Sequence, residues 1–166
     1  ALAPVVPPTP IPYPGYVQVE PSTGLHVTTE PQWVDLATYR LTIKGKVTRE
    51  VSLSYDDIRC LPRVAAQTLI ECPGFFVDQS NLAGGSLAAA LTLAEPLADA
   101  ERVLFVGVDG RSDSVKIDSA RAADNFLAYE WEGESLPISH GFPVRLALPG
   151  YTGGYWIKWL NEITVL

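Results

Sequence analysis

Three side chains that could hold an anion stand close together near the C-terminus: His140, Arg145 and Lys158, in the stretch HGFPVRLALPGYTGGYWIKWL. Phe142 to Leu148 reads as a buried strand, apolar except for Arg145, and Pro149-Gly150 ends it. Gly153-Gly154 then lets the backbone turn tightly before Tyr155 to Trp159, where Lys158 is the only charge among aromatics and Ile157. A cation inside an apolar segment is costly unless something anionic meets it. One reading is that the three together hold a phosphate or similar anion, Arg as a planar fork of donors and Lys as a point charge. The other is that Arg145 and Lys158 pair with carboxylates or extend to the surface.

A thiol adds a second kind of chemistry. Cys72 closes the apolar and β-branched run AAQTLIEC, and Pro73-Gly74 turns the chain away, so a strand end delivers this side chain to a fixed point. That presents a thiolate well to a metal; the competing readings are a buried free thiol or a disulfide with Cys60, twelve positions upstream. Asp109 precedes Gly110 at a hairpin signal, where Asp commonly serves the turn, and the arginine that follows, Arg111, would ordinarily point to solvent. Two cysteines and two histidines without CxxC or HExxH spacing do not make a zinc site.

The elements that must position these groups are mostly short strands. Tyr39 to Ile43 and Val47 to Leu53 read as a pair around Lys44-Gly45-Lys46, and Ser54 with Asp56 and Asp57 starts a short helix that ends before Pro62. Ala65 to Cys72 reads as a core strand, residues 75–85 as a loop, and Ser86 as the cap of a helix over Leu87 to Leu93. Arg102 to Val108 and Ser114 to Ile117 form a hairpin. Asp118 caps a short helix, Phe126 to Trp131 is a strand, and the terminal NEITVL closes the fold. Strands do not alternate regularly with long helices, so the class is α+β, with mixed β-sheets and a few short helices.

Bulk properties narrow the function classes. With 166 residues, 47% hydrophobic and 19% charged, the chain holds one core, and its net charge of −7 disfavours nucleic acid and anionic membranes as partners. No apolar run approaches the ~20 residues of a spanning helix. Six of the first fourteen residues are proline, which makes residues 1–22 an extended arm or linker and residues 23–166 the domain. Such an arm is what remains when a targeting segment or anchor is removed, and a boundary cut would look the same. His26, between Leu25 and Val27, reads as a surface or hydrogen-bonded histidine.

The HG-x-P-x-R segment from His140 to Arg145 resembles the molybdopterin-binding core of the sulfite oxidase family. So do Pro149-Gly150, the glycine turn, the Lys158-Trp159 pair, the upstream LAYEWEGESLP and Cys72, all in that family's order. The resemblance implies that family's fold, without its added dimerisation or haem domains, and a molybdenum-dependent oxidoreductase. Such a protein carries out oxygen-atom or electron transfer on a small-molecule substrate at a molybdenum–molybdopterin (Mo-molybdopterin) centre. It implies that Cys72 ligates the metal beside the two sulfurs of the pterin, as a soft donor suits. Arg145 and Lys158 would neutralise the pterin and its phosphate. His140, with the amides around Trp156 and Ile157, would hydrogen-bond the pterin edge, and Asp109 would accept from its amino groups. Arg111 stands where sulfite oxidases have a tyrosine near the metal, so it either binds an anionic substrate in another way or faces solvent. An electron-transfer protein of cytochrome type, or a membrane subunit, would take the electrons. The compartment implied is periplasmic or otherwise extracytoplasmic, with the N-terminal arm as tether.

Three departures stand against the family pattern. No arginine follows Cys72 before Arg102, Leu82 to Leu87 (LAGGSL) replaces a tryptophan-containing passage, and the usual N-terminal contact motif is not recognisable around His26. They keep open two alternatives: a cofactor-free binding or scaffold module that retains the fold, with a Cys60–Cys72 disulfide, and an electron-transfer subunit whose partner supplies the substrate site.

Overall fold

The structure, a computed structural model, describes residues 2–9 and 19–166. Two five-stranded sheets share the work of the fold. In the first, β1 (Leu41–Gly45) and β2 (Val51–Leu53) form the expected antiparallel pair. β1 runs parallel to the last strand, β10 (Leu160–Val165), which pairs with β5 (Arg102–Gly107), and β5 with β6 (Ser112–Lys116). In the second sheet β3 (Arg63–Cys72), β4 (Phe76–Ser86), β7 (Phe126–Trp131) and β8 (Glu134–Ser135) follow in that order, and β9 (Arg145–Ala147) also pairs with β7. With only three short helices, the class is α+β.

Local chemistry explains most of the boundaries. α1 (Tyr55–Arg59) starts at Ser54 through a capping box: the serine hydroxyl accepts from the Asp57 amide, and the Asp57 carboxylate accepts from the Ser54 amide. α2 (Leu87–Ala94) is capped by Ser86 and buries Leu87, Ala90, Leu91 and Ala94, the spacing of one helix face, against the core between the sheets. That core also holds Leu41, Ile43, Phe105, Leu127 and Leu146, all essentially inaccessible. A second cluster, with Ile70, Leu82, Phe126, Phe142 and Trp156, lies against the second sheet.

Four expectations need correction. Residues 75–85 are not a loop: nearly all belong to β4, which lies between β3 and β7 and buries Asp78, Ser80 and Leu82 on one face. Its inward positions are polar, so the alternation reads as a surface loop. β3 is not a core strand but the outer strand of its sheet, exposing Arg63, Ala65, Gln67, Leu69 and Glu71. Asp118 does not cap α3 (Ile117–Ala120); Lys116 occupies the cap position without a side-chain bond, and Asp118 sits in the first turn, where a carboxylate suits the helix dipole. Residues 142–148 are all buried, yet only Arg145–Ala147 form a strand, and Pro143 has no amide with which to extend the ladder.

The described part of the arm lies along the domain. Val5 packs against both clusters, the Ala3 carbonyl accepts from Arg59 at 2.8 Å, and the Val6 carbonyl accepts from Ser135 at 3.4 Å. The remaining arm positions, residue 1 and residues 10–18, lie outside the described residues. Among the described residues no helix is long and apolar enough to cross a membrane.

Candidate functional site

Four elements end at one small cavity. β3 brings Cys72, the turn after β5 brings Asp109 and Arg111, β9 brings Arg145, and the segment after the glycine turn brings Trp156, Ile157 and Lys158; Thr28, Gly153 and Gly154 complete the lining. Of the eight candidate residues only His140 is missing from it. The ribbon is held by the Leu146 amide donating to Ile157 O at 2.9 Å and the Leu160 amide donating to Val144 O at 2.9 Å. Gly153 packs tightly on β3: a Cβ there would stand 3.0 Å from the Cys72 sulfur and 3.1 Å from Ile70, so these side chains would have to give way slightly.

The cavity is cationic and poorly compensated. Arg145 is buried, its one hydrogen bond reaches the His140 carbonyl at 3.4 Å, and its Nε has no partner among the described residues. Burial holds the guanidinium down to about 10, against the pull of Asp78 and Cys72. Lys158 donates to Ser139 O at 3.0 Å and lies over the Trp159 ring, 4.5 Å from its centroid. Burial first and the Arg145 charge second bring its pKa down to about 7, while Asp109 works the other way. Burial also pushes the Cys72 thiol up, and Arg145 pulls it back. Arg111 is exposed in its turn yet lines the mouth, where the Asp109 carboxylate accepts from the Arg111 amide at 3.1 Å. A buried guanidinium and a buried ammonium in one cavity carry positive charge that an anion would compensate.

His140 differs from its expectation. Its imidazole is buried against Glu20, 2.8 Å from the carboxylate, and against the Thr23 hydroxyl at 3.1 Å, so its ring joins neither Arg145 nor Lys158 around an anion. Burial outweighs Glu20 and holds it below the usual histidine range. Its carbonyl, not its ring, is the part that meets Arg145. Cys60 and Cys72 are both free, with Cys60 exposed, so the disulfide alternative does not form.

One contributor, Asp78, had no signal in the sequence, and it binds His26, which is hydrogen-bonded as expected. Asp78 on β4 is buried and accepts from the His26 amide at 2.7 Å through one oxygen, while its other oxygen meets His26 Nδ1 at 2.7 Å. The His26 ring stacks on Phe76, centroids 4.1 Å apart. This clamp fixes the segment that leads to Thr28 at the cavity wall. Replacing Asp78 with Ala leaves the His26 amide without its acceptor, and a loss of roughly 1–3 kcal/mol is expected. Urea unfolding together with faster amide exchange at His26 checks it; unchanged exchange would show that the clamp is redundant.

Lys158 gives the stability of the fold a pH dependence. The unfolded chain keeps a proton on this lysine to near 10.5 while the folded chain releases it near 7, so the unfolded state binds more protons between those values. Stability of the anion-free protein should therefore rise with pH across that window. Thermal unfolding at several pH values, compared with Lys158→Met, isolates the contribution: the variant should lack that part of the slope, and identical slopes would remove Lys158 as its source.

One family accounts for the sequence matches, and a solved structure shares the fold. The oxidoreductase molybdopterin binding domain family matches residues 26–166. Mitochondrial sulfite oxidase of Homo sapiens is 32% identical over 162 aligned positions, covering 80% of this chain and 30% of that protein. An uncharacterized oxidoreductase, YuiH, of Bacillus subtilis is 28% identical over 142 positions, covering 84% of this chain and 71% of that protein. The sulfane dehydrogenase SoxCD of Paracoccus pantotrophus shares the fold, with a TM-score of 0.78 at 21% identity over 90% of this chain and 44% of that one. The chain thus spans about a third of the length of the sulfite oxidases it matches. From the match across residues 26–166 and the sulfite oxidase relatives, the chain belongs to the oxidoreductase molybdopterin-binding domain family of the sulfite oxidases.

Proposed function

We propose that this protein is a molybdenum-dependent oxidoreductase that holds Mo-molybdopterin in the cavity between Cys72, Arg145 and Lys158. The observation that carries the proposal is the buried Arg145, whose Nε has no partner among the described residues, in the same cavity as a half-buried free thiol. The donor set fits. A soft thiolate suits a high-valent metal, and no cluster of three or more His, Cys, Asp or Glu able to hold a metal occurs among the described residues. Most donors to a metal at Cys72 would therefore come from the organic group. The cavity, about 130 Å3, is below the roughly 300–1,000 Å3 of sites that enclose a whole organic ligand, so it takes one end of such a group.

When bound, the group would supply oxygen-atom or electron transfer. The chain's residues would bind and orient it. Burial pushes the Cys72 thiol up while Arg145 and Arg111 oppose that shift, and Cys72 would give up its proton on ligating the metal. Arg145 and Lys158 would neutralise the anionic part, which in turn would return Lys158 to its charged form. Asp109 would accept from the pterin's amino groups, the amides of Trp156 and Ile157 would donate, and Arg111 at the mouth would meet the substrate. His140 would act indirectly, through the backbone that it and Glu20 fix. An electron-transfer protein, extracytoplasmic residence, an arm at residues 1–22 acting as tether and a domain at 23–166 complete the proposal. Molybdenum analysis of the protein purified from its native host tests it; protein that is folded, free of molybdenum and devoid of pterin would refute it.

A further inference from the structure

Among the described residues no strand pairs with the outer edge of β3, and the turn at Gly153 packs close to its Ile70–Cys72 end. β3 pairs with β4 through ten consecutive residue pairs without a register shift, and its other edge has no hydrogen-bond partner among the described residues. Proteins usually blunt such an edge with proline, lysine or a bulge. The strand RVAAQTLIEC has no proline, lysine or bulge, and its only charges, Arg63 and Glu71, stand near its two ends. Its outward face exposes Leu69 at 59%, and Val77 at 59% and Phe75 at 89% extend the apolar surface beside it.

We propose that β3 pairs antiparallel with β3 of a second copy, about a two-fold axis through Gln67. The order of charges on the strand selects this occupant. In that register Arg63 lies opposite Glu71 of the second copy, Ala65 opposite Leu69, and Gln67 opposite Gln67, and symmetry repeats each pair. Slipping by two residues in either direction separates both charge pairs. An odd slip sets the exposed face of one strand against the half-buried face of the other. Glu71 has no ion-pair partner among the described residues. Arg63 meets Glu130 at 2.7 Å through one guanidinium nitrogen, which leaves further donors of its fork for Glu71. The pairing joins two five-stranded sheets into one and sets the two Cys72 positions at opposite ends of the seam.

Sedimentation velocity of the whole protein over a concentration series tests this. A reversible dimer is expected. Arg63→Glu or Glu71→Arg alone sets like charges opposite at both ends and should raise the dissociation constant roughly tenfold or more. The double exchange should restore it, which a mere folding defect would not do. Register is read in a Cys60→Ser background: Gln67→Cys should give a disulfide-linked dimer on mild oxidation, because a residue on the axis meets its own copy. Ala65→Cys should not, since its copy lies four residues away along the partner strand. A monomer at every concentration, a dimer indifferent to the single charge reversals, or equal cross-linking at 65 and 67 would overturn the proposal.

Discussion

Replacing Arg145 with Met should make the protein more stable on its own while greatly weakening the pterin binding proposed above. The two effects have one cause. Among the described residues, buried Arg145 keeps one long hydrogen bond, leaves Nε unpaired and otherwise meets the Trp156 ring at 6.0 Å, so the hydration of its charge is only partly replaced. Methionine fills similar volume without that cost, and substitutions of buried ionic groups by apolar ones are neutral or stabilising by about 1–4 kcal/mol. A gain in that range should appear as a higher urea midpoint and a Tm raised by several degrees. Cofactor retention should fall by at least about a hundredfold, the usual penalty for removing one partner of a buried charge pair. Arg145→Lys should not rescue it fully, because an ammonium lacks the planar fork. A destabilised Arg145→Met protein would mean that Asp78 already compensates the guanidinium, and that the charge serves the fold instead of a ligand.

How legible this was in the sequence depended on which side chains faced inward. The capping box at Ser54, the helix after Ser86 and the β1–β2 pair follow from local rules, and all formed. The ribbon from Phe142 to Trp159 stood out because cations in apolar surroundings are rare. β4 was opaque for the opposite reason. Its buried face carries Asp78 and Ser80, chosen to hold His26 and to meet the Thr68 hydroxyl, so the hydrophobic alternation that marks a strand is absent where the strand is most constrained. His140 shows a different limit: a histidine five residues from Arg145 shares its neighbourhood, yet it ends a 3-10 turn closed by Gly141 at φ 113°, and its ring lies against Glu20. Spacing along the chain cannot report which way such a turn sends a side chain.

The second large effect is expected at Cys72. Changing it to Ser should remove most bound molybdenum and the associated turnover, and leave stability within about 1 kcal/mol, since a half-buried side chain of similar size is exchanged. A hydroxyl is a harder donor with a far higher pKa, so it does not replace a thiolate toward a soft-ligand site. The absorption that sulfur gives when bound to a metal should vanish with the metal. Cys60→Ser provides the internal control: it is exposed, ends α1 and lies outside the cavity lining, so metal content and spectrum should stay as they were. Equal loss in both variants would point to a general thiol effect. Full molybdenum content and turnover in Cys72→Ser would detach the thiol from the metal altogether, leaving Arg145 and Lys158 as an anion site that owes nothing to sulfur.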